Sequence, residues 1–93
     1  MDTKFSAGDR VRVAEVFLWA KGAAGAIAPP PPEVVDKSGP WDDNLTFMEV
    51  SALGTNRVYW VWFDQRQYDA DGNGPFIGGC VWEGALTRIA SAP

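Results

Sequence analysis

The sequence predicts a mainly β fold, a small and partly open barrel of about five short strands, and three observations carry that prediction. Polar and apolar residues alternate in Arg10-Val11-Arg12-Val13, the period-two pattern of a half-buried strand. Val58-Tyr59-Trp60-Val61-Trp62-Phe63 is β-branched and aromatic throughout, a composition that fits a pleated, half-covered surface. Turn-forming residues recur between such runs, and no long amphipathic helix is visible. The 93 residues suit a single domain spanning 1–93. A content of 46% hydrophobic and 22% charged residues is globular rather than disordered.

Taken in order, Gly8-Asp9 is a turn that feeds the first strand. Its alternation breaks at Ala14-Glu15, and the apolar run from Val16 to Trp19 then predicts a bulge or a sharp bend. Gly22 and Gly25 bracket a tight approach to a second short strand at Ile27. Pro29 to Pro32 cannot donate to a sheet ladder and favour extended polyproline, so the sheet pauses there in a stiff connector. Residues 33–46 are polar and acidic, with a turn at Ser38-Gly39-Pro40. From Thr46 to Leu53 the pattern fits both periods. Met48, Val50 and Ala52 alternate as in a strand, the preferred reading, while Leu45, Met48, Glu49 and Ala52 would share a helical face. Residues 28–56 are therefore expected to form a long, irregular, Pro-rich and acidic insertion. Arg57 to Asp64 is the strongest strand, followed by a turn-rich loop from Gln65 to Pro75. Phe76-Ile77 and Cys80-Val81-Trp82-Glu83 read as short strands around Gly78-Gly79, followed by a helical turn at Gly84-Ala85-Leu86 and a closing strand from Thr87 to Ala90.

Composition excludes several chemistries. The chain has no histidine, which removes Ser-His and Cys-His nucleophile pairs and imidazole metal sites. One cysteine, Cys80, allows neither an internal disulfide nor a Cys-rich zinc site. No stretch approaches the roughly 18 apolar residues of a membrane span, and Met1-Asp2-Thr3-Lys4-Phe5 does not begin a signal peptide. With a lone thiol, a cytoplasmic location is the expectation. Twelve acidic residues face eight basic ones, unevenly. Residues 22–56 hold Glu33, Asp36, Asp42, Asp43 and Glu49 against Lys37 alone, which accounts for the entire net charge of −4. Such a surface repels nucleic acid phosphates and complements a basic protein partner. Solubility alone would also explain it.

Two clusters stand out as candidate sites. If Tyr59, Val61 and Phe63 point inward, Trp60 and Trp62 share the outer face of their strand, and Val81 inward puts Trp82 outward too. Three outward tryptophans are more apolar area than a monomer leaves wet. Either they form a partner-binding patch, with Trp60, Trp62 and Trp82 as anchors and Asp42 and Asp43 steering a basic partner, or residues 28–56 fold back and cover them. Asp69-Ala70-Asp71-Gly72-Asn73-Gly74 matches the first half of a calcium loop, with oxygens from Asp69, Asp71 and Asn73 and glycine at the sixth position. Cys80 stands at the twelfth position, where a bidentate glutamate belongs, so a polar hairpin tip is the competing reading. Cys80 has no cationic neighbour in sequence and reads as a packing residue. No catalytic constellation and no obligatory cofactor emerge.

Phe5, Gly8-Asp9-Arg10-Val11-Arg12-Val13, Gly22 and Gly25 before Ile27, then Tyr59, Val61, Phe63 and Asp64, and finally Val81, Glu83 and Leu86 resemble the pattern of SH3-like barrels. Among them it is similar to the C-terminal domain of the nitrile hydratase beta subunit, the ferredoxin–thioredoxin reductase variable chain and the small barrel-shaped accessory protein of photosystem I. These flanks cover about half the chain and leave 28–57 without a counterpart. The resemblance implies an SH3-like, partly open barrel that docks onto a larger partner and performs no chemistry itself. The functional expectation is a non-enzymatic protein-binding module. Its most concrete form is a bacterial immunity or inhibitor protein capping a basic partner. The alternatives are an accessory subunit of a larger enzyme and a small-ligand or calcium-binding domain.

Overall fold

A computed structural model describes residues 5–17, 19–38, 41–42, 44–50 and 56–89. Its elements run β1 (Arg10–Val13), β2 (Ala24–Ile27), α1 (Pro32–Ser38), β3 (Phe47–Val50), β4 (Asn56–Gln67) and β5 (Phe76–Trp82). A 3₁₀ turn (Glu83–Ala85) and β6 (Leu86–Arg88) complete the order. The fold is mainly β: six strands form one antiparallel sheet that curls into a partly open barrel.

The aromatic run of β4 organises everything else. One edge of β4 serves two strands in succession: Phe47 to Val50 of β3 pair with Tyr59 to Asn56, and Gly25 to Ile27 of β2 pair with Phe63 to Val61. The other edge pairs with β5, Val58 facing Trp82 and Trp62 facing Gly78. From β2 the sheet continues to β1 and then β6. The chain passes from β5 through the 3₁₀ turn directly into β6, bringing the two ends of the sheet towards one another.

Strand parity decides what is buried. Tyr59 and Val61 on β4, Val81 on β5, Val11 and Val13 on β1 and Ile27 on β2 all face inward and form the core with Phe5, Phe63 and Leu86. Phe5 meets the Tyr59 ring edge-on at 5.3 Å. The Tyr59 hydroxyl, buried at the end of this core, donates to Glu83 Oε2 at 2.6 Å, joining β4 to the 3₁₀ turn. Arg57 stacks over Phe47, with its guanidinium centre 5.2 Å from the ring, and reaches Glu83 and Glu49 at 3.8 and 3.7 Å.

Several boundaries differ from the sequence expectation. The parity break after Val13 is a tight loop, turned by a Phe17 N–H to Ala14 carbonyl bond, which puts Phe17 and Ala20 into the core. The insertion is not irregular throughout. Pro31 accepts from the N–H groups of Val34 and Val35, and α1 begins at Pro32, a position whose missing N–H costs nothing in a first helical turn. Glu33 in that first turn and Lys37 in the last oppose the helix dipole favourably. The preferred strand reading of 46–53 corresponds to β3 over Phe47–Val50, and residues 51–55 lie outside the described residues. β4 runs on to Gln67, past the expected end at Asp64, and β5 is one strand instead of two.

Candidate functional site

The outer face of β4 and β5 carries the predicted tryptophans on one side of the sheet. Trp60 and Trp62 alternate with the buried inward residues, and Trp82 faces Val58, which shares their parity. The Trp60 and Trp62 rings meet edge-on at 5.8 Å. Their exposures diverge, however. Trp60 is 8% exposed and its neighbour Val58 5%, although neither belongs to the inner core. Trp62 is half-buried, and Trp82 is 38% exposed.

The polyproline segment meets this face at Trp62. The Ala28 N–H donates to the Trp60 carbonyl at 3.3 Å, extending the β2 pairing, and Trp62 Nε1 donates to the Pro29 carbonyl at 3.0 Å. A side-chain donor on the outer face thus holds the proline backbone against that face, and Pro30 is buried. Pro29, Pro30 and Pro31, ahead of α1, contribute a stiff strap whose ring-fixed φ angles cost little entropy to order. Of the two readings of the tryptophans, folding back describes Trp62, which the proline segment meets through Nε1, whereas Trp82 is exposed.

The acidic candidates are placed as follows. Asp42 Oδ1 accepts from the N–H groups of Thr46 and Phe47 at 2.5 and 2.9 Å, so its carboxylate closes the turn into β3. Asp43 lies outside the described residues. Asp69 Oδ1 accepts from the N–H groups of Asp71 and Asn73 at 3.0 and 2.8 Å, while the Asp69 N–H donates to the Asn73 carbonyl at 3.0 Å. That is the geometry of a self-closing polar hairpin tip. Asp69 Oδ1 is engaged by backbone donors, and among the described residues no group of three or more His, Cys, Asp or Glu side chains that could hold a metal ion is found. Arg10 and Asp64 form a two-bonded pair on the outer face, which raises the Arg10 pKa and lowers that of Asp64, in each case chiefly through the hydrogen bond. Burial pushes the Cys80 thiol up, so it stays protonated and unreactive at neutral pH.

One site was not legible in the sequence. Trp19, Trp60, Asp69, Phe76, Gly78 and Gly79 line a cleft of about 360 Å³ on β5. Trp19 sits edge-on to both Phe63, at 5.5 Å, and Phe76, at 5.7 Å. Two adjacent glycines bring it about. A Cβ at Gly79 would collide with the Trp19 ring, and one at Gly78 would lie 2.8 Å from Trp60 Nε1. Each indole therefore occupies side-chain space that β5 leaves empty, Trp19 on one face and Trp60 on the other. Gly78-Gly79 was the available clue, but nothing in the sequence joins it to a tryptophan some 60 residues earlier.

No protein-family model matches the chain, and no curated protein or solved structure matches it either.

Proposed function

We propose that this protein is a non-enzymatic binding module that docks onto a basic protein partner through β5 and the aromatic side chains around it. The observation that carries this reading is the distribution of exposed apolar groups. Of the five large hydrophobic side chains that are exposed among the described residues, Phe76, Ile77 and Trp82 all lie on β5, and Tyr68 lies in the loop that leads to it. Clustered exposure of this kind marks interaction surfaces, whereas single exposed side chains do not. Carboxylates border the same region, Asp69 and Asp71 before β5 and Glu83 after it, which suits a basic partner. The return of the chain from β5 through a 3₁₀ turn to β6 and β1 supports the likeness to SH3-like barrels. Capping a toxin or enzyme as an immunity or inhibitor protein is the preferred version of this role, ahead of service as an accessory subunit.

Affinity capture from the native host, with wild type beside Trp82→Ser, tests the proposal. Trp82 is exposed enough for the variant to fold. A stoichiometric basic protein held by wild type and lost with Trp82→Ser is the expected result. Equal capture by both baits would move the interface away from β5, and capture of nothing would remove the reading. The partner's nature separates the two versions: an inhibitor silences its target, and an accessory subunit raises its enzyme's activity.

A further inference from the structure

Among the described residues β5 pairs with β4 alone, so its second edge has no strand partner; the strand is exposed at Phe76, Ile77 and Trp82 and buried at Gly78, Gly79 and Val81. Sheet edges of this kind are normally guarded by charge, proline, short length or cover. The other two end strands are guarded. β6 has only three residues, including Arg88, which is paired with Asp9 at 3.0 Å. β3 has four residues, with Glu49 among them, and its far side is met by the Trp41–Met48 bridge and the Asp42 N–H to Phe47 carbonyl bond. β5 has seven residues, Phe-Ile-Gly-Gly-Cys-Val-Trp, with no charge and no proline.

The cleft described above opens at this same strand. Its lining is apolar, and its single charged group is Asp69. Backbone N–H groups engage Asp69 Oδ1 alone, leaving Oδ2 to face a cation. Trp60 Nε1 is buried against Gly78 with no hydrogen-bond partner among the described residues.

Resting on the binding function above, we propose how the partner docks: an extended segment bearing lysine or arginine adds to the free edge of β5. Its backbone pairs along Phe76–Trp82, one apolar side chain enters the cleft beside Trp19 and Trp60, and its cation meets Asp69. Strand addition draws affinity from the main chain and specificity from side-chain pockets, and this site supplies both. Charge decides between occupants. A second copy would bring the uncharged β5 of a chain with net charge −4, offering Asp69 no cation, whereas a basic segment complements it.

The test is selection from a displayed library of random linear peptides, followed by binding measurements with the strongest peptide. The expected winners combine β-branched residues with lysine or arginine, and they protect β5 amides from hydrogen exchange. Ile77→Lys, which places a charge on the exposed edge, should abolish binding while near-ultraviolet dichroism shows an intact fold. Asp69→Asn keeps the Oδ1 acceptor that closes the loop and should weaken binding by about three- to tenfold. Winners that are acidic or proline-rich, no enrichment, unprotected β5 amides, or equal affinity for Asp69→Asn would overturn the proposal. So would sedimentation showing a dimer that Ile77→Lys dissolves, since the edge would then belong to a second copy. If the captured protein depends on Trp82 while no peptide engages β5, this docking mode fails and the binding function stands.

Discussion

The two faces of the β4–β5 pair are built from similar residues and end in different states. On the inner face Tyr59, Val61 and Val81 are fully buried, because the sheet itself curls over them and Phe5, Phe17 and Leu86 close the ends. On the outer face Val58, Trp60, Trp62, Cys80 and Trp82 are as apolar, yet their exposure grades from nearly none at Val58 and Trp60 to substantial at Trp82. Curvature covers one face completely, whereas the other is met by a separate proline segment at Trp62 and along the Trp60 backbone. The lesson is that an apolar outer face need not be all interface or all core. A short proline segment can bond to one tryptophan, Trp62, and leave another, Trp82, exposed.

The largest expected effect breaks the comparison at the inner face. Phe63→Ala removes a ring held among core residues and edge-on to Trp19. It should cost about 3–5 kcal/mol, counting lost burial and the cavity left behind. A domain of this size has about 5–15 kcal/mol in total, so the variant should unfold at much lower urea. Trp82→Ala, on the strand paired with β4, should change stability by less than about 1 kcal/mol. Urea midpoints measured side by side check this contrast. Equal losses would mean that Trp82 is a structural residue and that β5 offers no free apolar surface.

This asymmetry also explains how much was legible in advance. The inner face of β1 was readable because polar/apolar alternation at Arg10–Val13 is a local property, whereas Val58–Phe63 is apolar throughout, so its inward set Tyr59, Val61 and Phe63 comes from the resemblance to SH3-like barrels. Given that inward set, and Val81 inward on its own strand, the outer placement of Trp60, Trp62 and Trp82 followed from strand parity. Which of those tryptophans the proline segment meets did not follow, because the bond from Trp62 Nε1 to the Pro29 carbonyl spans 33 residues and leaves no trace in spacing. The α1 helix was hidden by the prolines before it, which discourage a sheet without announcing that Pro32 opens a helical turn. For the calcium-like Asp69–Gly74 loop, residue types at the right positions could not reveal that the first carboxylate already serves Asp71 and Asn73.

A smaller effect sharpens the account of the strap. Trp62→Phe keeps an aromatic ring on the outer face and removes the Nε1 donor to the Pro29 carbonyl. Losing one such bond should lower stability by roughly 0.5–1.5 kcal/mol. The more telling readout is local: amide exchange at Ala28, whose N–H bonds the Trp60 carbonyl, should quicken while amides of β1 and β5 hold. An unchanged exchange rate at Ala28 would show that the prolines stay in place without Trp62, and the strap would then rest on apolar packing alone.

The smallest effect belongs to the charged rim of the same outer face, where Arg10 and Asp64 meet in solvent. The hydrogen bond to Arg10 lowers the Asp64 pKa in the folded protein. A carboxyl group whose folded pKa lies below its unfolded value adds stability that is fully present above the unfolded pKa. That contribution is lost as pH falls through the folded one. Both side chains are substantially exposed, so solvent and salt screen the pair and keep the contribution small. Urea midpoints of wild type and Asp64→Asn, compared from neutral pH down through the carboxylate range, should differ slightly near neutrality and converge in acid. Added salt should narrow the difference at neutral pH. A gap that instead widens on acidification would mean that Asp64 is stabilised in its protonated form, against the direction its partner imposes, and the Arg10 pairing would lose its place in the outer face.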